Sequence, residues 1–366
     1  MAIYIHQLKN WPHFQWNEQE FISLLGEVRH LQGKLLGKVE LLGFDLREDA
    51  NLETLIQDII QTSAIEGEQL NPELVRSSIA TRLGLEHAGA STLDRHIDGI
   101  VAVQFDATQN KNKILNNERL FGWHAALFPT GRSGMYKIEV AQWRRGAMQV
   151  VSGAMGREII HYEAPKAGVL DVEMDQFINW FTNENDIESL LKAAIAHLWF
   201  ITIHPFDDGN GRIARAITDM QLSKSDGVNQ RFYSMSTEIN TQKTTYYQIL
   251  EQIQKGDLDI TNWIIWFLKC LKNSIISSNI IVDKVVKKHQ FWAKNARLIS
   301  NERQIKMLQK LMEDFDGNLN TSKWAKMTKT SADTALRDIT DLVNKGILLK
   351  SESGGRSTNY VLNRSI

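Results

Sequence analysis

His204, Asp208, Gly209, Asn210, Gly211, Arg212 and Arg215 all fall within the stretch IHPFDDGNGRIAR, residues 203–215. Glycines ahead of a helical run, here RIARAITDMQL, let several backbone N–H groups converge on one point, and the helix N-terminus adds positive potential; together they make an anion cradle. Arg212 and Arg215 are three apart, so on a helix they share a face above that cradle and suit phosphate or carboxylate oxygens. Asp208 supplies a hard oxygen, and one or two carboxylates with substrate phosphates are the usual way of holding Mg²⁺. His204 stands where an apolar helical run meets the loop, and its ordinary pKa suits it to take a proton from a hydroxyl. Base, metal ligand, anion cradle and charge clamp in one stretch point to phosphoryl-type transfer, which asks a protein mainly for positioning and charge stabilisation. Each feature alone also reads as plain structure: a capping histidine, a glycine turn, a polar loop. Their joint spacing carries the chemical reading, and the chain has no GxxxxGK[ST], so it is not a P-loop.

The stretch resembles the signature of the Fic family, HxFx[DE]GNGRxxR, with His204, Phe206, Asp208, Gly209, Asn210, Gly211, Arg212 and Arg215 in its fixed places. The resemblance implies that His204 is the catalytic base toward a Ser, Thr or Tyr hydroxyl of a protein, which attacks the α-phosphate of ATP. It implies Asp208 as the Mg²⁺ ligand, Gly209, Asn210, Gly211, Arg212 and Arg215 as ATP ligands, and Phe206 as a buried anchor. Residues 62–67, TSAIEG, are similar to the inhibitory [ST]xxxE[GN] string of Fic proteins whose inhibitory helix precedes the core. Thr62 and Glu66 are then inhibitory residues, and a Glu66 carboxylate on Arg215 would occupy the guanidinium meant for the γ-phosphate. Val150, Val151, Ser152 and Gly153 resemble the family's flap, which docks the target protein on residues 150–162 by strand addition and covers the nucleotide. Tyr246, Tyr247 and Gln254 resemble residues lining the adenosine pocket. ATP and Mg²⁺ are the implied cofactors. The expected activity is protein adenylyltransfer, autoinhibited by Glu66, with a Fic enzyme of another donor or of de-AMPylating direction as the alternative. Self-modification and a homodimer stay open.

The elements that must position these residues are mainly helical. The expected fold is mainly α: an N-terminal helical domain at 1–90, a Fic-type helical core at 115–275 with a β-hairpin flap at 143–165 and the signature at 204–215, and a C-terminal winged helix-turn-helix at 298–366. Apolar residues at Phe21, Leu24, Leu25, Val28, Leu31, Leu35 and Leu36 keep one helical face over 17–43, a second helix runs over 48–61 and stops near TSAIEG, and a third over 188–202 leads into the loop. The segment VVS, a glycine-punctuated turn and EIIHY predict the hairpin. His197, seven before His204 with no cysteine near, reads as structural.

Within the tail, helix, short helix, turn, longer helix and glycine-tipped hairpin follow in the order of a winged helix-turn-helix. Its second helix carries Asp333, Asp338 and Asp341 beside Arg337 and Lys345, a mixed charge that weighs against phosphate contact. A nucleotide-responsive regulator that binds DNA through this tail is the alternative from another class. With 366 residues the chain has length for two or three domains. A net charge of −1 gives no global pull toward polyanions or membranes. One cysteine, Cys270, excludes a disulfide within the chain. The start lacks a secretory pattern and no run of about 18 apolar residues is read anywhere, so the expectation is a cytoplasmic protein without a membrane partner.

Overall fold

Helices dominate because the chain has few prolines and long stretches of 3.6-residue periodicity. The computed structural model describes residues 4–84, 94–153, 157, 159–312, 315, 317–351 and 358–363. The tip of the hairpin expected at 143–165, the boundary drawn at residue 90 and the glycine tip of the tail hairpin lie outside them.

In chain order the helices are α1 (Ile22–Glu40), α2 (Phe44–Ile65), α3 (Pro72–Leu83), α4 (Arg95–Gln109) and α5 (Asn117–Leu127). Two short strands, β1 (Arg132–Ser133) and β2 (Tyr136–Lys137), and a longer antiparallel pair, β3 (Gln149–Ser152) and β4 (Ile159–Glu163), follow. Then come α6 (Leu170–Asn183), α7 (Ser189–Ile203), α8 (Asn210–Asp226), α9 (Met235–Thr241), α10 (Lys243–Gln254) and α11 (Thr261–Asn295). The last elements are α12 (Glu302–Met312), α13 (Thr321–Thr328), α14 (Ala332–Asn344), β5 (Leu348–Lys350) and β6 (Tyr360–Leu362).

The chain divides into two units, Met1–Val282 and Asp283–Ile366, with the division inside α11. Segments 1–90 and 115–275 therefore belong to one unit, and the second begins at Asp283 rather than 298. What joins the first ninety residues to the rest is specific. The Trp11 indole donates to Glu173 on α6 at 2.9 Å and its ring meets Trp199 of α7 edge-on, while Gln15 pairs its backbone with the Leu258–Ile260 segment. Contrary to the expectation from sequence, one helix, α11, is long and apolar enough to cross a membrane by length and composition, although Lys269, Lys272, Asn and Ser interrupt it. Half of its most apolar stretch is buried within the protein.

At the centre of the first unit α7 and α8 pack together. Every residue of α7 from Leu190 to Ile203 is buried, so no amphipathic stripe survives, as expected of a helix surrounded by others. Glu188 starts it by accepting from the N–H groups of Leu190 and Leu191. Helix α8 is likewise buried from Arg212 to Ser223. The second unit has its own core, in which Trp324, Met307, Leu308, Ile339, Leu342 and Leu348 are fully buried. It contains α12, α13, α14 and the β5–β6 hairpin, in which Leu348 pairs with Leu362.

Candidate active site

The loop between α7 and α8 is held in shape by its own residues and by two side chains from far away. Helix α7 ends at His204, whose backbone is left-handed (φ 52°, ψ 57°) and donates to the Phe200 carbonyl at 3.0 Å. Asn210 closes the loop: its amide oxygen accepts from the Phe206 N–H at 2.9 Å and its amide nitrogen donates to the Phe206 carbonyl at 2.8 Å. Phe206 is fully buried and lies flat against His124 of α5, ring centres 4.2 Å apart. His124 Nδ1 accepts from the Ala141 N–H, which puts the ring proton on Nε2, where it donates to the Asp208 carbonyl at 3.2 Å. Burial pulls this imidazole down to about 4, so it stays neutral and keeps that tautomer.

Arg144, 2 % exposed, supports the loop from the other side. Its Nε donates to the His204 carbonyl at 2.8 Å, Nη1 to the Gly146 carbonyl at 2.8 Å and Nη2 to the Pro165 carbonyl. Its backbone N–H adds a bond to the Pro205 carbonyl at 2.9 Å. A guanidinium has a rigid fork of donors, which is why one residue can fix three carbonyls at once.

These supports set the chemistry. His204 donates from Nδ1 to the Ile201 carbonyl at 3.2 Å, leaving the Nε2 lone pair free. Burial lowers this imidazole to about 4, so at neutral pH it is a ready proton acceptor. Asp208 accepts from the Gly209 N–H at 2.6 Å and from the Ser133 hydroxyl. A carboxylate has about four lone-pair directions, so capacity for a cation remains. Among the described residues no three of His, Cys, Asp and Glu stand together as a metal cluster. Asp208 is the carboxylate here that would hold a cation bridged to phosphate oxygens, as Mg²⁺ is commonly held.

Gly209 begins α8 in a left-handed conformation (φ 79°), which glycine adopts without strain. At Gly211 a Cβ would collide with the Glu66 carboxylate and lie 3.1 Å from Arg215 Nη1, so the space over the start of α8 is open only because residue 211 has no side chain. Glu66, the residue that ends α2, fills that space. Its Oε1 accepts from Arg215 Nη2 at 2.6 Å, while Arg215 Nε donates to the Thr62 hydroxyl at 2.6 Å and Nη2 to the Thr62 carbonyl at 3.1 Å. Helix α2 runs through Ile65 instead of stopping near residue 61; the extra turn sets Thr62 and Glu66 one above the other, four residues apart, facing Arg215. Arg212 is buried over the Phe128 ring, 5.0 Å from its centre, with its Nη1 3.7 Å from Glu68.

A cavity of about 690 Å³ opens onto this site. Of the residues singled out from the sequence, Glu66, Val150, Val151, Ser152, His204, Asp208, Asn210, Gly211, Arg215, Tyr246, Tyr247 and Gln254 line it; Thr62, Gly153, Gly209 and Arg212 do not. Strands β3 and β4 pair antiparallel along it with an irregularity between Val150 and Val151, and Val151, Ile159 and Ile160 are exposed. Tyr246 is buried and hydrogen-bonds His197 Nε2 at 2.9 Å. His197 Nδ1 in turn contacts the Thr218 hydroxyl at 2.9 Å, so both its ring nitrogens are used inside the core.

Sequence reading missed several residues here. Arg144, His124, Ser133 and Tyr162 hold the loop or the hairpin, and His161 ties β4 to α10 through Glu251 at 2.7 Å. Glu68, two residues after Glu66, pairs with His96 of α4. His161 and Tyr162 lie in EIIHY but carry no chemical pattern there, and the others belong to no quoted string; most of the partners are 28 to 90 residues away in the chain.

A neutral imidazole, a carboxylate and the start of α8, covered by Glu66, thus face one cavity. Residues 114–222 match the Fic/DOC family and residues 4–85 a domain of unknown function, DUF4172. The matched Fic/DOC segment runs from just before α5 into α8. Curated relatives called protein adenylyltransferase Fic, from Aedes aegypti and Culex quinquefasciatus, are 26% identical over 216 residues, 57% of this chain and 39% of each relative. The chain spans about two fifths of the length of these relatives. In fold it is similar to a Fic family protein of Desulfovibrio desulfuricans (TM-score 0.53, 19% identity, 94% of this chain and 95% of that one). It is also similar to a Fic domain containing signaling protein of Bacteroides thetaiotaomicron (TM-score 0.53, 19% identity, 71% and 96%).

Proposed function

We propose that this chain is a protein adenylyltransferase that moves AMP from ATP to a Ser, Thr or Tyr hydroxyl of a protein and that Glu66 holds it off. The observation that carries the reading is that His204, Asp208, Gly211 and the Glu66–Arg215 pair all face one cavity. Curated relatives named protein adenylyltransferase Fic support it.

The triphosphate settles over the start of α8, where backbone N–H groups and the helix dipole favour anions. Arg215 takes the γ-phosphate once Glu66 has left it, and Arg212 adds positive charge behind the cradle. Asp208 would hold a Mg²⁺ ion, which would neutralise charge on the phosphates. The target segment lies along the β3–β4 hairpin, where strand addition presents its hydroxyl to the cavity. His204 Nε2 removes the hydroxyl proton, the oxygen bonds to the α-phosphorus, and pyrophosphate leaves with the electrons of the broken P–O bond. Arg144 and Ile201 keep the imidazole oriented while it does so. With Glu66 in place, its carboxylate repels the γ-phosphate and occupies the guanidinium that should receive it.

Incubation with labelled ATP, of the chain alone and with a lysate, tests this. Glu66→Gly should raise labelling roughly 10- to 100-fold, the range set by one charge-assisted hydrogen bond of about 1.5–3 kcal/mol. His204→Ala in the Glu66→Gly background should lower it by about 10²- to 10⁴-fold. Equal labelling with and without His204 would remove the assigned base, and no uptake of ATP by Glu66→Gly in calorimetry would remove the reading itself.

A further inference from the structure

The near-neutral chain is strongly polarised. Residues 283–366 carry sixteen Lys and Arg against nine Asp and Glu, a surplus of seven positive charges; with the chain at −1, the residues before them carry a deficit of eight. Such an imbalance between parts of one chain is a signature of a polyanionic partner for the basic part.

The sequence set one objection to that partner: three aspartates share the α14 segment with Arg337 and Lys345. The fold removes two of them from the outer face. Asp338 is 5% exposed and accepts from Asn301 at 2.9 Å and from Arg303 at 2.8 and 3.1 Å. Asp341 accepts from Gln304 at 2.9 Å, from Ser300 at 3.0 Å and from Lys345 at 2.7 Å. Both are turned to the start of α12 and are spent on holding the unit together. Ala335, Asp338, Ile339 and Leu342 form the buried stripe of α14. At 100° per residue the opposite side carries Asp333, Arg337, Thr340 and Asn344, all exposed. Asp333 is the one acid left there.

Among the described residues, three exposed lysines lie on α13, on the turn into α14 and on β5. Lys326 closes α13, Lys329 forms the left-handed turn (φ 54°) into α14, and Lys350 lies exposed on β5. Leu336 on α14 and the paired Leu349 and Val361 on β5 and β6 are the large apolar side chains exposed among the described residues of α13 to β6, few against the charged and polar side chains there. Arginine and asparagine, by contrast, are the side chains that read base edges through paired hydrogen bonds.

We propose that the Asp283–Ile366 unit binds duplex DNA. Helix α14 enters the major groove with Arg337, Thr340 and Asn344 toward the bases, and Lys326 and Lys329 take flanking phosphates. A groove about 12 Å wide admits one helix with its side chains. The inference is independent of the transfer reaction: His204→Ala should bind DNA as the parent does.

The test uses the full chain and a fluorescein-labelled mixed-sequence duplex of about 30 base pairs, read by anisotropy. Binding should weaken about 10²-fold or more between roughly 50 and 200 mM salt, with a log–log slope that becomes shallower by about one for each lysine contact removed. Lys326→Glu with Lys329→Glu should weaken binding at least about tenfold, whereas Asp333→Asn should tighten it a few-fold. Both sites are exposed, and circular dichroism would verify that each variant is folded. No duplex binding at the lowest salt would overturn the proposal, as would binding indifferent to both variants. So would salt-sensitive self-association, seen by light scattering without any duplex binding, which would mean that the basic face meets the acidic part of a second copy.

Discussion

At the scale of single residues the site rests on an imidazole kept neutral by its surroundings. Burial brings His204 down to about 4, so a rate that needs its unprotonated form has the base ready over the whole neutral range. In the Glu66→Gly variant the transfer rate should rise as pH climbs through about 4 to 5 and then stay flat from pH 6 to 8. A rate still climbing tenfold per pH unit near 6.5, measured as kcat/KM against pH, would show an imidazole of ordinary basicity and overturn this assignment. The residues that make the chemistry were legible in the sequence because they occupy twelve consecutive positions, His204 to Arg215, where spacing alone limits what they can do. Arg144 was not legible. Its role lies in the carbonyls of His204, Gly146 and Pro165, and a backbone acceptor leaves no trace in residue identity.

At the scale of elements the informative difference is the last turn of α2. TSAI has no helix breaker, so the helix continues until Gly67 (φ 85°), and the breaking signal at Gly67 was assigned one turn too early. That turn decides whether Thr62 and Glu66 meet Arg215 together. The loop after it is fastened by Glu68 to His96, which also faces Arg212 and Asp94. The His96 imidazole is raised above 6.5, first through its hydrogen bond to Glu68 and against the cost of burial. Glu68 is lowered for the same reason, with the hydrogen bond to His96 its largest cause. The contribution of a raised histidine is fully present below the unfolded value near 6.5 and lost as pH rises through the folded value. The melting temperature of the parent relative to His96→Gln should therefore be higher near pH 6 than near pH 9, by a degree or so per about 0.6 kcal/mol for a unit of this size. Parallel melting curves for the two proteins across that range would show that the pair adds nothing.

At the scale of the molecule, helical content and the order of the tail elements followed from periodicity, whereas the joining of the first ninety residues to the core did not. It depends on Trp11, Gln15 and their distant partners Glu173, Trp199 and Leu258, contacts that no local pattern announces. Two units with separate cores should unfold in two calorimetric transitions. In Glu66→Gly, ATP with Mg²⁺ should raise the transition of the Met1–Val282 unit, by about 2.7 kcal/mol of stabilisation at a hundredfold excess over Kd, and leave the other where it was. A single transition that shifts as a whole would mean that the units melt as one. The division of charge, seven in surplus on one side of residue 283 and eight in deficit on the other, has a practical reach beyond any ligand. A pI near 6.8 suggests a protein that passes unretained through charged resins at neutral pH, yet each segment presents its own field at low ionic strength. Anion and cation exchangers should both hold it, each by a different end of the chain.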